Sequence, residues 1–342
     1  MNGSGKSGLI TSVEILRKLL TDSGYLNNPI AQKNLDAIVN KKTGELFIET
    51  EYLLEINDEL LKFRYDITLL KSTSGKYVIT HESLSFKKAT SKREDMDILF
   101  EVFHGEVVRL YEKEKSNEFS LFIQNKTVNL LSMASMPALF YEKIWMLEKE
   151  NNDLEKNALW GGLWILYILG RKLYVYLDQS DNHREYVVRN SLETYEENAE
   201  YEDKINSLMS SFFEIDTECL NVISSTGNIV PKKGYAYLKE MVLGGIVFID
   251  EFDSNLHDVY LCALLEYLME YGEGQLCFTT HNVGPMDVLK SRKKSIDFLS
   301  ENHNIYFWTK SGNYSPSKLY RNGMIEGSPF NVDSIDFIGV FS

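Results

Sequence analysis

Cysteine is scarce in this chain of 342 residues, which has three: Cys219, Cys262 and Cys277. No two of them are spaced as a CxxC pair, and each stands among apolar residues. This pattern argues against a disulfide framework and against a cysteine metal site. We therefore expect reduced core cysteines in a cytoplasmic protein.

Basic residues are also in the minority. The chain has 36 Lys and Arg against 50 Asp and Glu, a formal net charge of −14. This balance argues against non-specific nucleic-acid binding by the chain as a whole, because such binding depends on neutralising phosphates. The net charge does not exclude a local basic groove. Nucleic acid is therefore a possible partner, although the net charge does not indicate it.

Long apolar runs and a signal-peptide pattern are missing too. The N-terminus is rich in Gly and Ser instead of having a basic region followed by an apolar one. The most apolar stretch, "ALWGGLWILYILG" at 158–170, is too short to span a bilayer and is followed by Arg171 and Lys172. It predicts a buried helix and no membrane partner, with a membrane-contacting helix as a minor alternative.

Periodicity divides the chain into four parts. Residues 1–44 contain a helix directly after an opening loop, and 45–127 consist of short β-rich runs with turn-like separators, which favours an antiparallel β subdomain. Residues 128–220 are predicted to be a helical insertion. Residues 221–342 return to alternating strands and helices, which indicates parallel βα units.

The opening "MNGSGKSG" matches the end of a phosphate-binding loop, G-x-x-x-x-G-K-[ST]. In such loops backbone N–H groups surround the phosphates, the Lys reaches the β and γ oxygens, and the hydroxyl binds Mg²⁺. The predicted nucleotide-binding residues of this loop are Asn2, Gly3, Ser4, Gly5, Lys6 and Ser7.

A second motif is "GGIVFIDEFDSNLH", in which the apolar run from Ile246 to Ile249 predicts a buried parallel strand. Asp250 and Glu251 stand at its carboxyl end, where ligands bind in open α/β sheets. Asp250 is the candidate Mg²⁺ ligand, and Glu251 is the candidate base that takes the proton of an attacking water. A strand that merely ends in Asp-Glu at a surface turn is the structural alternative.

A third motif, "QLCFTTHN", is another apolar strand that ends in Thr279, Thr280 and His281. A single His at a strand end is more often structural than catalytic. One predicted helix separates this strand from Glu251, so the two strand ends should be neighbours in a βαβ unit. From that position the His281 imidazole could reach a terminal phosphate.

Together the three motifs resemble ABC-type ATPases, and more narrowly the bacterial ABC-like AAA ATPases related to the RecF, SMC and OLD-type proteins. "NGSGKS" is similar to the end of their Walker A motif, "IVFIDEFDSNLH" to Walker B and the D-loop, and "FTTHN" to the switch-histidine strand. The resemblance implies an α/β P-loop NTPase fold of the ABC-like type that binds ATP and Mg²⁺ and hydrolyses ATP. His281 would sense the γ-phosphate.

The resemblance also implies partners. ATP would lie between two head-to-tail copies in a homodimer, each facing an S-x-G signature of the other, for which Ser225 and Gly227 in "ISSTGN" are the candidates. That segment lacks the Leu that usually precedes the Ser. A Q-loop glutamine is not assigned, with Gln32 and Gln124 as the nearest. Relatives of this branch imply a role in phage defence, restriction or DNA repair, gating a partner such as a nuclease or toxin.

Two questions stay open at the sequence level. The family has a strand and a first glycine before this part of Walker A, so Met1 is either an internal methionine of a longer chain or the start of a degenerate ATPase. The alternative function is a non-hydrolysing P-loop scaffold that binds a partner protein through its helical region. A transporter-coupled ATPase is disfavoured because the signature and D-loop differ from that pattern.

Overall fold

The computed structural model describes residues 6–56, 58–111, 130–140, 158–177, 221–223, 229–231, 241, 244–253, 258–299, 304–308 and 315–324. These residues form a mixed α/β structure. Its α-helices are α1 (Lys6–Thr21), α2 (Pro29–Ile38), α3 (Met136–Leu139), α4 (Ala158–Lys172), α5 (Asp258–Tyr271), α6 (Gly284–Val288) and α7 (Pro316–Arg321). Its strands are β1 (Glu45–Ile56), β2 (Glu59–Lys71), β3 (Tyr77–Lys88), β4 (Asp97–Phe103), β5 (Glu106–Leu110), β6 (Leu173–Tyr176), β7 (Asn221–Ile223), β8 (Ile229–Pro231), β9 (Ile246–Ile249), β10 (Gln275–Phe278), β11 (Asp297–Leu299) and β12 (Ile305–Phe307).

The chain divides into two compact units. One contains Met1–Val13 and Leu173–Ser342, and the other is Glu14–Lys172. We call the first the parallel-sheet unit and the second the antiparallel-sheet unit, after the sheets they contain.

The antiparallel-sheet unit is built on strands β1 to β5, which pair in sequence order. Strand β2 shows why the stretch forms a sheet: Phe63, Tyr65, Ile67 and Leu69 are buried, and polar residues alternate with them. A period of two places alternate side chains on opposite faces of a strand. Antiparallel pairing is thus confirmed for the described residues from Glu45 to Leu110.

Helix α4 packs against this sheet through a glycine. A Cβ atom at Gly162 would lie 2.7 Å from Leu99 Cδ1 and 2.8 Å from Leu84 Cδ2, so the absence of a side chain permits the close approach. Leu163 and Leu166 of the helix are fully buried. The predicted buried helix is confirmed, and none of the described helices has both the length and the apolar character needed to cross a membrane.

A buried carboxyl ties α3 to the same sheet. Glu82 on β3 is 0% exposed; its Oε1 accepts a hydrogen bond from the Tyr65 hydroxyl at 2.9 Å, and its two oxygens accept from the Met136 N–H at 3.1 and 3.0 Å. Burial raises the pKa of Glu82 to about 8, although both hydrogen bonds act to lower it. The Ser135 hydroxyl donates to the Leu19 carbonyl at 2.5 Å and accepts from the Ala138 N–H at 3.4 Å, which caps α3.

The parallel-sheet unit contains a three-stranded sheet in the order β10-β9-β6, with both pairings parallel. Helix α5 connects β9 to β10 and packs its buried leucines, among them Leu261 and Leu264, against Val247 and Ile249. This parallel βαβ unit confirms the pattern predicted from the sequence. Strand β6, in contrast, lies within the range 128–220, which the sequence predicts to be helical. Four apolar residues directly after an apolar helix are too few for their periodicity to distinguish a strand from a helix.

The remaining elements include two antiparallel pairs, β7 with β8 and β11 with β12. Strands β11 and β12 share a small apolar cluster with α7, formed by Ile296, Phe298, Trp308 and Leu319. Cys262 and Cys277 are free and partly buried, whereas Cys219 lies outside the described residues.

Candidate functional site at the carboxyl edge of the parallel sheet

Strands β9 and β10 end side by side, and their last residues are joined by hydrogen bonds. Asp250 directly follows β9 and is 6% exposed. The Thr279 hydroxyl, directly after β10, donates to Asp250 Oδ1 at 2.6 Å. Because parallel neighbours end at the same edge, two residues 29 positions apart are adjacent here.

Glu251 adopts an unusual backbone conformation at this edge. Its φ is +50°, in the left-handed region that non-glycine residues seldom occupy. Its N–H donates to Thr279 Oγ1 at 2.9 Å, and the next N–H, of Phe252, donates to the Thr279 carbonyl at 3.0 Å. Such conformations cost about 1–3 kcal/mol and occur frequently at functional sites.

Lys6, the first residue of α1, brings a cation to the same edge. Its Nζ lies 3.0 Å from both His281 ring nitrogens and 3.4 Å from the Thr280 carbonyl oxygen. These contacts link residues 274 and 275 positions apart in the sequence. The fold therefore brings together the Lys of the first motif and the His of the third.

Burial and nearby carboxylates shift the pKa of Lys6 in opposite directions. Burial lowers the pKa of the Lys6 ammonium, and the carboxylates of Asp253, Glu251 and Asp250 act in the opposite direction. A partly desolvated cation interacts more strongly with an anion than one in bulk water. The site therefore holds a half-buried ammonium group close enough to three carboxylates for their charges to act on it.

The turn that contains His281 is held by its neighbours. The Asn282 N–H donates to Thr280 Oγ1 at 2.8 Å, and Asn282 Nδ2 donates to Oδ1 of Asp258, the first residue of α5, at 3.0 Å. The Gly284 N–H donates to Asn282 Oδ1 at 2.9 Å. A Cβ atom at Gly284 would collide with the Asp258 carboxylate, so a side chain at this position would have to displace it.

A magnesium ion fits part of this donor set. Asp250 Oδ1 accepts from Thr279, while Oδ2 accepts no hydrogen bond from any described residue. Ser7, the second residue of α1, is exposed. No group of three or more His, Cys, Asp or Glu side chains among the described residues could hold a metal ion. Mg²⁺ is usually bound by one or two carboxylates together with substrate phosphates, and the Asp250 carboxylate is a donor of that kind.

Several predicted site residues lie outside the described residues. They are Asn2, Gly3, Ser4, Gly5, Ser225 and Gly227. Gln32, the nearest described Q-loop candidate, has a structural role in the antiparallel-sheet unit: its side chain donates to the Leu26 and Tyr77 carbonyls and accepts the Tyr77 N–H. These hydrogen bonds hold Gln32 within the antiparallel-sheet unit.

Sequence reasoning missed the residues that support this site. Residue type and pattern indicate Thr279 only as part of a strand end, and they predict no role for Asn282, Asp258 or Asp253. The available signal is their placement, since polar side chains follow both strands and begin the helix between them. Their hydrogen-bond partners, however, are set by the packing of the two strands.

A scan against models of protein families found none that matches this chain, and a search of curated proteins found no match either.

Proposed function

We propose that this protein binds ATP with Mg²⁺ and hydrolyses it, using a P-loop NTPase fold of the ABC-like type. The observation that carries the proposal is the contact of Lys6 with His281, at the edge where Asp250 and Glu251 follow β9. Three sequence motifs that were each ambiguous alone thus contribute to a single cluster. A phosphate group is the substrate chemistry that suits a lysine at a helix start.

Lys6 is the phosphate-binding cation. Its ammonium is partly desolvated, and its present partners, a neutral carbonyl and an imidazole, are weaker acceptors than a phosphate oxygen. Phosphate binding would replace these contacts by charge-assisted hydrogen bonds. In hydrolysis Lys6 stabilises the negative charge on the β and γ oxygens.

Asp250 and Ser7 would hold Mg²⁺, which neutralises charge on the phosphates when bound. Glu251, the residue after Asp250, takes the proton of the attacking water. His281, whose ring contacts the Lys6 ammonium, senses the γ-phosphate. Asp250, Glu251 and His281 follow neighbouring strands of the sheet, and Lys6 contacts His281.

The assembly belongs to the same proposal and depends on the resemblance of the motifs. ATP would lie at a head-to-tail homodimer interface, with Ser225 and Gly227 of one copy facing the nucleotide of the other. The hydrolytic cycle would gate a partner protein, such as a nuclease or toxin, in phage defence, restriction or DNA repair.

The test compares ATP binding and Mg²⁺-dependent hydrolysis in the wild type and three variants. Lys6→Ala should abolish ATP-dependent thermal stabilisation, whereas Lys18→Ala, at a half-buried lysine of the same helix that pairs with Glu14, should not. Glu251→Gln should slow turnover by about 10²- to 10⁴-fold and leave ATP binding intact.

Unchanged turnover in Glu251→Gln would refute the assignment of the base. A wild-type protein that neither binds nor hydrolyses ATP would refute the proposed function and favour the non-hydrolysing scaffold.

A further inference from the structure

Thr279 connects the two loops that follow β9 and β10. Its backbone N–H donates to the Ile249 carbonyl at 2.9 Å, and its carbonyl accepts the Phe252 N–H at 3.0 Å. Its hydroxyl accepts the Glu251 N–H at 2.9 Å and donates to Asp250 Oδ1 at 2.6 Å. All four bonds cross from one strand end to the other.

The two backbone bonds and the two hydroxyl bonds have different requirements. Any residue other than proline can make the backbone bonds at position 279, since they continue the pairing of the parallel strands. The other two need a side-chain atom that donates and accepts at once, which a hydroxyl does. The 2.6 Å bond has the length of a charge-assisted O–H···O⁻ hydrogen bond.

The hydroxyl acts on both carboxylate residues of the candidate site. Its bond to Oδ1 orients the Asp250 carboxylate and leaves Oδ2 for another partner. Its bond to the Glu251 N–H stabilises the peptide at the residue whose φ is +50°. A conformation of this kind persists only where surrounding contacts hold it.

We propose that Thr279 is a positioning residue, whose hydroxyl keeps the metal-binding carboxylate of Asp250 and the general base Glu251 in one mutual arrangement. The inference rests on the proposed ATPase function for its kinetic consequence. The hydrogen-bonded link itself can be tested without nucleotide or metal.

Thr279→Val removes the hydroxyl and keeps the shape of the side chain. Groups that orient a metal-binding carboxylate typically contribute about 10- to 100-fold to activity. We expect kcat for ATP to fall by about that factor while KM changes little, because the Lys6 contacts do not involve the Thr279 hydroxyl. Thr279→Ser, which retains the hydroxyl, should restore most of the rate.

Hydrogen–deuterium exchange supplies the second measurement, on the protein without ligands. In Thr279→Val the Glu251 N–H loses its acceptor, so the peptide covering 249–253 should exchange faster than in the wild type or in Thr279→Ser. Thr50→Val is the matched control: it removes a hydroxyl that bonds the Tyr65 carbonyl at 3.4 Å in the other unit, and it should leave kcat and this exchange unchanged.

The outcomes are distinguishable. Wild-type kcat in Thr279→Val would overturn the positioning role even if Glu251→Gln is slow. If the wild type shows no turnover, the proposed function fails, and exchange alone decides whether the hydroxyl holds the loop. Unchanged exchange at 249–253 in Thr279→Val would overturn the link itself.

Discussion

Replacing Glu82 by Gln should remove a pH dependence of stability that this buried carboxyl imposes on the antiparallel-sheet unit. Glu82 is fully buried beneath α3, and burial raises its pKa from 4.5 to about 8. The Tyr65 hydroxyl and the Met136 N–H favour the charged form, but desolvation is the larger effect. The folded protein therefore holds the Glu82 proton more tightly than the unfolded chain.

The sign of the effect follows from proton linkage. Below pH 4.5 the carboxyl is protonated in both states, and its contribution to stability is fully present. As pH rises toward 8, the unfolded chain releases the proton while the folded state retains it, so the free energy of unfolding falls. At about 1.4 kcal/mol per pKa unit, the shift from 4.5 to about 8 corresponds to roughly 5 kcal/mol.

The assay is urea denaturation of the wild type and Glu82→Gln at several pH values between 5 and 8 (about one unit apart), which covers the range over which this carboxyl titrates. The wild type should lose stability relative to the variant by up to about 1.4 kcal/mol per pH unit as pH rises. Glu45→Gln, at an exposed position of β1, controls for removal of a carboxylate from the sheet. A wild-type-minus-variant difference that stays constant with pH would refute the buried-carboxyl argument.

Three further predictions follow from packing and turns. Gly284→Ala should lower Tm and ATPase activity because the added Cβ would displace the Asp258 carboxylate. The loss of Tm should be smaller in an Asp258→Ala background, and an equal loss in both backgrounds would contradict the contact. Leu261→Ala, at a fully buried α5 position, should cost about 2–5 kcal/mol in urea denaturation, and a cost below about 1 kcal/mol would argue against this core. Ser135→Ala should cost about 1–2 kcal/mol by the same assay, because it removes the α3 cap and the bond to Leu19, and an unchanged unfolding midpoint would contradict that role.

Local patterns predicted much of the secondary structure and part of the candidate site. The alternation along β2 predicted a sheet, and the apolar run before Asp250, followed by a helix and a second apolar run, predicted a parallel βαβ unit. Residue type and position at the ends of elements indicate Lys6 and His281 as site residues. These features can be predicted from the sequence because periodicity and strand ends are properties of short segments.

Other features depend on residues that are far apart in the sequence. Strand β6 was missed because a four-residue apolar run becomes a strand only when it pairs with β9. The burial of Glu82 beneath α3 likewise has no local signature. Each depends on a long-range partner, which a pattern in one segment does not name.

By itself, then, the sequence determined which segments are strands or helices wherever the hydrophobic periodicity extends over enough residues. It also determined which polar residues follow the strands. Only the tertiary structure decided that Lys6 meets His281, that Thr279 bonds both Asp250 and the Glu251 backbone, and that Glu251 adopts a left-handed φ. The physical reason is that these contacts arise from the pairing order and register of strands, which depend on packing across the whole unit.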